Sequence, residues 1–414
     1  MPKALQFLSP KKIYQVLILF FFWAVLPLFL LELLMIILEP YLSQGIYQYD
    51  RDLGFRIRPY ANGNNQFGFN DRDYPLQKDP DQFRILVVSD SFNWAGGKER
   101  NYTAFLEKQF EQYYQKPQVE VISAGYPGTH TGEQLAMLKK YGLQYHPDLV
   151  ILGFFVGNDF LDGDPNRKRI IVNDVYIDID RRKELVIWGY PIIGQSRLLL
   201  FIQQKYKVFR EAARSKQSWN PQIFSEAVLV ASTNPHAFPN PALQTVIKPI
   251  QSPEQSPGIM SLKTFLKVEK TRLGFCEKAN LAEGKWQDNI DYILSNISEM
   301  NHLLQTQGIQ FLVAIYPDEF QVNPELFQQV VNQFDLNPQD YETTCMQRIL
   351  TQHLKAQGID YIDFLVPFQK QEKNQHLYLL QEPHWNSVGN QVAANLLFEN
   401  LVQTTNRFFK SRSN

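Results

Sequence analysis

Four short blocks of polar residues carry side chains that could cooperate in ester chemistry. Ser91 offers a hydroxyl nucleophile, and His384 offers an imidazole that could deprotonate it. A serine needs such a base within about 2.6–3.2 Å, because its hydroxyl is scarcely ionised at neutral pH. Asn158 and the backbone amide of Gly128 could donate hydrogen bonds to the oxyanion that forms when a serine attacks an ester carbonyl. These residue types together indicate nucleophilic acyl transfer.

The elements that must position these blocks are short, continuous apolar runs, which suit strands covered on both faces. The first three blocks end such runs, and the fourth stands just before the last helical pattern. Strands alternating with amphipathic helices predict right-handed crossovers and a parallel sheet. Ligands bind beyond the carboxyl ends of the strands in such a sheet, so we expect the blocks at one rim. The predicted strands are 84–89, 119–124, 149–155, 311–316 and 361–364.

With its blocks in this order, the chain resembles an SGNH (GDSL-type) hydrolase, a family named for Ser, Gly, Asn and His. The resemblance covers roughly 84–159 and 310–401. It implies an α/β fold, a flavodoxin-like three-layer sandwich with a central parallel five-stranded sheet. It also implies the site roles, with Ser91 as the nucleophile and His384 as the base. The resemblance further implies an oxyanion hole formed by the backbone N–H of Ser91, by Gly128 and by Asn158.

Two positions depart from the family pattern. Ser89 stands where the family usually has Gly, which exchanges one small residue for another. Gln381 stands three residues before His384, where an Asp is expected. Related cell-envelope acyl-transfer proteins carry an Asp-x-His-Trp block, and Glu382 matches its first position with Glu in place of Asp. The resemblance therefore makes Glu382 the third triad member, and a Ser–His dyad supported by a backbone carbonyl is the alternative.

Several other residues near the blocks admit two interpretations. Trp94 and Trp385 flank the nucleophile and the base, where they could bind substrate by stacking on a sugar or could simply pack. His130 is the rival histidine, and its position favours lining the cleft or capping the next helix. No His, Cys and carboxylate cluster has metal-ligand spacing, and no glycine pattern matches a dinucleotide or P-loop fingerprint. We therefore expect neither a metal nor a cofactor.

The most apolar stretch of the chain lies near its start. Residues 13–38 are long enough, at about 1.5 Å per residue, to cross a hydrocarbon layer of about 30 Å, which predicts a transmembrane anchor. A cleaved signal peptide is the alternative, although the stretch exceeds the usual apolar region of about 7–15 residues. Lysines precede the stretch, so the positive-inside rule places the N-terminus in the cytoplasm and the rest of the chain outside it. Glu32, inside the span, could be functional or could snorkel to the outer interface.

Charge and cysteine content restrict the function further. The 414 residues include 41 Lys and Arg against 42 Asp and Glu, so no global basic field favours a nucleic-acid partner. The two cysteines, Cys276 and Cys345, exclude a disulfide scaffold, a four-thiolate zinc site and an iron–sulfur cluster. Outside the cytoplasm they could form a disulfide, although two buried thiols would look the same in the sequence.

An irregular insertion divides the predicted hydrolase fold. It contains a hairpin-like stretch at 173–189, a helical stretch at 195–214 and a Pro-rich loop at 234–258. We expect it to cap the sheet. The predicted segments are a cytoplasmic tail at 1–12, the anchor at 13–38, an extracytoplasmic tether at 39–82, the first half of the hydrolase domain at 83–160, the inserted cap at 161–286 and the second half at 287–405.

The expected function is that of a membrane-anchored, extracytoplasmic serine esterase. Its substrate would be a small ester or an O-acylated carbohydrate, in particular an O-acetyl ester of cell-envelope or exported polysaccharide. The location and the resemblance to envelope acyl-transfer proteins imply that substrate. The alternatives are a polysaccharide O-acetyltransferase that uses the same serine, and a non-catalytic envelope assembly or glycan-binding protein.

Overall fold

The computed structural model of the protein describes residues 10–42, 46–172, 175–187, 190–192, 196–203, 205–206 and 260–412. These residues fall into two compact units. The first unit takes in the described residues within 1–55 and 167–220, and the second takes in the described residues within 56–166 and 221–414. All of the candidate catalytic residues belong to the second unit.

The described strands and helices are numbered in chain order. The strands are β1 (Tyr47–Asp50), β2 (Gly54–Ile57), β3 (Phe83–Ser89), β4 (Val119–Gly125), β5 (Leu149–Phe155), β6 (Arg167–Val172), β7 (Val175–Asp180), β8 (Leu185–Ile187), β9 (Tyr190–Ile192), β10 (Gln310–Tyr316), β11 (Asp360–Asp363), β12 (Tyr378–Leu379) and β13 (Glu382–Trp385). The helices are α1 (Pro10–Phe20), α2 (Leu26–Leu42), α3 (Gly97–Arg100), α4 (Tyr102–Tyr114), α5 (Thr131–Lys140), α6 (Asp159–Asp162), α7 (Leu262–Leu273), α8 (Lys278–Ala282), α9 (Gln287–Thr306), α10 (Glu319–Val322), α11 (Pro324–Gln333), α12 (Cys345–Gln357), α13 (Leu365–Glu372) and α14 (Ser387–Arg412). A further helical segment covers 197–203.

A five-stranded parallel sheet forms the centre of the second unit, with the strand order β11-β10-β5-β3-β4. Read from the other edge in order of sequence this is 2-1-3-4-5, the flavodoxin-like order. The predicted α/β fold and its five strands are confirmed, with strand ends that differ from the expected ones by at most one residue. Every residue of β3, β4 and β5 is buried, as expected for strands covered on both faces.

Helices cover the two faces of this sheet and complete the three layers. On one face, alternate strand residues such as Ile85 and Val87 share a core with Leu106 of α4 and Leu397 of α14. α5 contacts β3, and α9 contacts both α5 and β10. The carboxyl ends of the strands are left open to carry the polar blocks, because the helices run across the faces of the sheet.

The first unit contains the apolar helix. α1, the π-helical turn Phe21–Val25 and α2 follow one another, and within the segment Lys11–Leu38 a window of 18 residues has a mean hydropathy of 2.6. By length and composition this helix could cross a membrane, and a signal sequence near an N-terminus passes the same test. Membrane anchoring and its orientation therefore stay predictions.

The hairpin predicted at 173–189 proves to be two antiparallel hairpins, β6–β7 and β8–β9. β6 begins upstream of that range, at Arg167. Its first three residues are basic, so the sequence does not indicate a strand there. Lys168 is nevertheless buried, because it forms an ion pair with Glu184, with 2.7 Å between Nζ and Oε2. The helix predicted at 195–214 is present at 197–203 and 205–206.

The predicted tether and cap differ in part from expectation. Within 39–82 the chain forms β1 and β2, and its side chains Phe69 and Tyr74 are buried. The spacing of these aromatic residues follows neither a helical nor a strand period, so the sequence gives no sign of their burial. The described part of 161–286 is divided between the two units. The rest of the helix prediction and the Pro-rich loop lie outside the described residues, and the segment boundaries stay a prediction.

Candidate active site

Ser91 lies immediately beyond the carboxyl end of β3, at the start of the 3-10 turn Ser91–Asn93. The buried carboxylate of Asp90 fixes this turn, since its Oδ1 accepts a hydrogen bond of 3.0 Å from the backbone N–H of Phe92. The hydroxyl of Ser89 donates to the carbonyl oxygen of Gly153 on the neighbouring strand β5 at 2.8 Å. Ser89 therefore adds a bond between the strands at the position where a glycine would add none.

His384 lies on β13 and faces Ser91. Its Nε2 is 2.6 Å from Ser91 Oγ, and its Nδ1 is hydrogen-bonded to Oε1 of Glu382. Residues two apart in a strand point to the same side, which explains how Glu382 and His384 meet. When Nδ1–H donates to the carboxylate, Nε2 is left to accept the proton of Ser91. Gln381, at the position where the family pattern has Asp, lies in the turn between β12 and β13 with a φ of +52°. The carboxylate that bonds to His384 belongs to Glu382 instead.

The surroundings of His384 make it a stronger base than a free imidazole. Burial by itself lowers the pKa of His384, but the charge and hydrogen bond of Glu382, with a contribution from Asp90, raise it above the ordinary value. The ring of Phe92 packs edge-on against the imidazole, with 5.0 Å between the centroids. The imidazole is therefore held by packing on one side and by polar contacts at both nitrogens.

The predicted oxyanion donors follow the strands on either side of β3. Asn158 comes after β5, and its Nδ2 lies 3.4 Å from Oδ2 of Asp90, the residue before Ser91. Gly128 follows β4 with a φ of +77°, and a Cβ built there would meet no atom within 4 Å. The left-handed backbone at this position explains the glycine, because other residues rarely adopt it. The structure thus brings the predicted nucleophile, base and acid into contact, and the predicted donors follow the strands at the same rim of the sheet.

Comparison with known proteins gives a match over the C-terminal part of the chain. Residues 275–412 match the family model described as "SGNH hydrolase-like domain, acetyltransferase AlgX". The matched part, a third of the chain, is SGNH hydrolase-like. This domain match and the assembled site support an esterase or O-acyltransferase activity.

Several solved structures are similar to this chain. The acetyl xylan esterase AlAXEase matches with 14% identity and a TM-score of 0.37, over 77% of this chain and 100% of that chain. A catalytic mutant of Axe2, an acetylxylan esterase from Geobacillus stearothermophilus, matches with 8% identity and a TM-score of 0.36, over 78% and 95%. A lipase/acylhydrolase from Enterococcus faecalis matches with 11% identity and a TM-score of 0.32, over 77% and 95%. No curated protein matches the chain.

The two tryptophans beside the predicted triad pack inside the protein. Trp94 is 3% exposed, and its Nε1 donates to the carbonyl oxygen of Gly125 at 2.9 Å. Trp385 is 1% exposed, with ring centroids 4.7 Å from those of both Phe92 and Tyr316. Successive strand residues point to opposite sides, so β13 turns Trp385 into the core as it turns His384 towards Ser91. The burial of both rings favours the packing interpretation, and substrate binding by either tryptophan stays a prediction.

Buried charged residues close to the site were not expected from the sequence. Burial raises the pKa of Asp90, and burial together with the charge of Asp90 raises the pKa of Asp159 well above its ordinary value. Arg272 of α7 is buried as well, and donates to Glu269 at 2.8 Å. No motif contains Arg272, so only the tertiary fold reveals it. His130 caps α5 by accepting from the backbone N–H of Gly132 at 3.1 Å, the capping role that its position favours.

A cavity of about 520 Å³ opens beside the predicted oxyanion donor Asn158. Its lining mixes apolar surface with charged and aromatic groups, and consists of Gly157, Asn158, Leu161, Asp162, Val268, Thr271, Arg272 and Trp286. Such a mixture suits a ligand that carries both hydroxyl and apolar groups. Within the described part of the chain, no group of three or more His, Cys, Asp and Glu residues is placed to hold a metal ion.

Proposed function

We propose that this SGNH hydrolase is a membrane-anchored, extracytoplasmic serine esterase. It acts on O-acyl esters, in particular O-acetyl esters, of cell-envelope or exported polysaccharide. The observation that carries the proposal is the position of the His384 ring, whose Nε2 lies 2.6 Å from Ser91 Oγ while its Nδ1 bonds to Glu382. Nucleophile, base and orienting acid are thereby connected in one chain of hydrogen bonds.

In the first half of the reaction, Ser91 Oγ forms a bond to the ester carbonyl carbon while its proton passes to Nε2 of His384. Glu382 holds the ring in the required tautomer and stabilises the imidazolium. The carbonyl oxygen becomes an oxyanion, which the backbone N–H of Ser91, that of Gly128 and Nδ2 of Asn158 stabilise. The bond to the alcohol oxygen then breaks, and the alcohol leaves with the proton from Nε2.

In the second half, water attacks the acyl carbon of the ester formed with Ser91. Its proton passes to Nε2 of His384, and the bond between the acyl carbon and Ser91 Oγ breaks. Ser91 recovers the proton, and the carboxylic acid is released. The cavity supports this proposal, because it provides space next to the predicted oxyanion donor Asn158 for part of a bulky, hydroxyl-rich substrate.

Two features support the proposed location. The apolar segment Lys11–Leu38 is long enough to anchor the chain in a membrane. Cys276 and Cys345 form a disulfide, and disulfides persist in oxidising compartments outside the cytoplasm.

Transfer of the acyl group to a sugar hydroxyl is the second candidate function. The match of residues 275–412 to a domain described as that of an acetyltransferase favours it. The chemistry of the first half-reaction is unchanged, and a sugar hydroxyl replaces water in the second half. The connected triad argues against the non-catalytic alternative, because glycan binding alone does not require a base next to a serine hydroxyl.

The release of p-nitrophenol from p-nitrophenyl acetate by the full-length protein in detergent tests the proposal. We expect turnover by the native chain and by Ser295→Ala, which removes an exposed hydroxyl on α9. Ser91→Ala and His384→Ala should both reduce turnover to the buffer rate. Equal turnover by all four proteins would refute the serine mechanism.

The acyl acceptor is identified by adding an unacetylated oligosaccharide to the same assay. Mass spectrometry of the sugar then measures transfer. An acetyl group that replaces a hydroxyl hydrogen adds about 42 Da to the sugar. Such an increase, if it depends on Ser91, would establish the second candidate, whereas release of acetate alone would establish hydrolysis.

A further inference from the structure

Glu32 has partners that neither interpretation of its sequence position anticipates. Its Oε2 lies 2.6 Å from the hydroxyl of Ser196 and accepts from the backbone N–H of Leu198 at 3.2 Å. Its Oε1 accepts from the backbone N–H of Arg197. These donors stand at the start of the helical segment 197–203, where backbone N–H groups have no partner within the helix. Glu32 therefore caps a second helix from within the apolar one.

This contact fixes the depth of the second helix relative to the apolar helix. The segment Lys11–Leu38 has 28 residues, and its ends extend beyond a hydrocarbon layer of about 30 Å. Glu32 precedes Leu38 by about 9 Å, at about 1.5 Å per residue. A centred segment thus places Glu32 close to the outer boundary of the hydrocarbon layer, and the start of the second helix lies beside it.

The second helix is amphipathic, and its two apolar faces have different surroundings. Leu200 is buried in a small core with Ile170, Val172 and Ile177 of the β6–β7 hairpin. Leu199, Ile202 and Tyr206 are instead 58%, 51% and 64% exposed. Leu199 and Ile202 share one face of the helical segment 197–203, and Tyr206, in the helical residues 205–206, follows at a spacing of four; we call these three side chains the exposed apolar face.

The β8–β9 hairpin carries a similar patch. Leu185 and Ile187 alternate along β8, and Leu185 is paired with Ile192 of β9, so the three side chains share one face. All three are exposed. The buried guanidinium of Arg197 donates to the carbonyl oxygen of Pro191, which joins this hairpin to the start of the second helix.

We propose that the exposed apolar face and the β8–β9 patch bind the outer surface of the lipid bilayer next to the anchor. The proposal rests on the membrane anchoring in the proposed function. The occupant is lipid, because Glu32 holds the second helix at the depth of the headgroup and acyl boundary. Interfacial helices bury an apolar face about 5–10 Å into that boundary. Exposed Lys205 stands between Ile202 and Tyr206 in the sequence and suits an anionic headgroup.

Quenching of fluorescent probes in vesicles tests the proposal. The full-length chain with Leu199→Cys, Ile202→Cys or Tyr206→Cys is labelled with an NBD maleimide and reconstituted into phosphatidylcholine and phosphatidylglycerol vesicles. The native cysteines are joined in a disulfide and do not react without a reductant. Lipids with a doxyl group near the headgroup should quench all three probes at least threefold more strongly than a probe at Gln328→Cys, an exposed position on α11.

A probe at Phe29→Cys on the apolar helix separates the possible outcomes. Quenching at Phe29 without quenching at the three test positions would overturn the proposal and leave the anchor in place. Absence of quenching at Phe29 would overturn the anchor and the proposal with it. Leu185→Cys reports the hairpin patch, which is a second test if a helix variant fails to fold. Turnover of p-nitrophenyl acetate by each labelled protein tests the esterase separately, since none of these residues belongs to the triad.

Discussion

Nε2 of His384 lies 2.6 Å from Oγ of Ser91, although 293 residues separate them in the chain. The packing of the C-terminal segment on the start of α4 brings them together. The side chain of Asn390 on α14 accepts a hydrogen bond of 3.0 Å from the backbone N–H of Tyr102. Trp385 packs on Phe92 in the turn that begins at Ser91. The contact between serine and histidine is therefore supported by buried contacts on both sides.

The pH dependence of hydrolysis should report the charge of Glu382. His384 must be neutral to accept a proton, and its pKa is raised above 6.5, so activity is lost as the pH falls through that raised value. Glu382→Gln removes the charge that raises the pKa and leaves the burial that lowers it. We expect the acidic limb of kcat/KM to move to lower pH and the plateau to fall by about 10²-fold or more.

Initial rates with p-nitrophenyl acetate measure this limb over a range of about 2.5 pH units on either side of about 6.5, the ordinary pKa of a histidine. Glu325→Gln, on the exposed surface of α11, is the matched control and should leave the profile unchanged. An acidic limb in the same place with and without Glu382 would exclude this residue from the triad and favour a Ser–His dyad.

Asn158→Ala should reduce kcat by about 10²–10³-fold with little change in KM, because an oxyanion donor acts mainly in the transition state. Steady-state kinetics of the purified variant measure both constants. Asn332→Ala, an exposed asparagine on α11, is the control for general effects of removing an amide. A kcat within twofold of the native value would show that Asn158 is not a donor. With RT at about 0.59 kcal/mol, a twofold change in kcat corresponds to only about 0.4 kcal/mol in activation free energy.

The fold could be predicted from the sequence wherever burial requires a run of apolar residues. Runs such as 149–155 are apolar throughout because both faces of the strand are covered, and their ends locate Ser91 and Asn158. The direction in which a single side chain points cannot be predicted from such a run. Trp385 stands next to the base in the sequence, yet the alternation along β13 buries it. The capping role of Glu32 could not be predicted from the sequence, because its partner Ser196 lies 164 residues away.

Trp385 should contribute to stability and not to substrate affinity. Trp385→Ala removes a large buried ring and should lower the free energy of unfolding by about 3–5 kcal/mol. Trp385→Phe keeps an aromatic ring at the position and should be milder, with an unchanged KM. Denaturant unfolding and the KM for p-nitrophenyl acetate measure the two effects. An unaltered free energy of unfolding accompanied by a raised KM would restore the substrate-binding interpretation.

The disulfide between Cys276 and Cys345 should stabilise the second unit. It joins residues 69 apart, and a closed loop of that size is worth about 4 kcal/mol in the chain-entropy description. The double variant Cys276→Ser, Cys345→Ser should lose about that much, and a reductant should lower the melting temperature of the native protein only. Two titratable thiols in the denatured, unreduced native protein would contradict the pairing.

Covalent labelling with a fluorophosphonate tests the central claim most directly. This reagent phosphonylates a serine whose hydroxyl is activated by a neighbouring base. Peptide mapping of the labelled full-length protein should locate the adduct on Ser91, with labelling much slower in His384→Ala and absent in Ser91→Ala. An unlabelled native protein, or an adduct at another serine, would contradict the account.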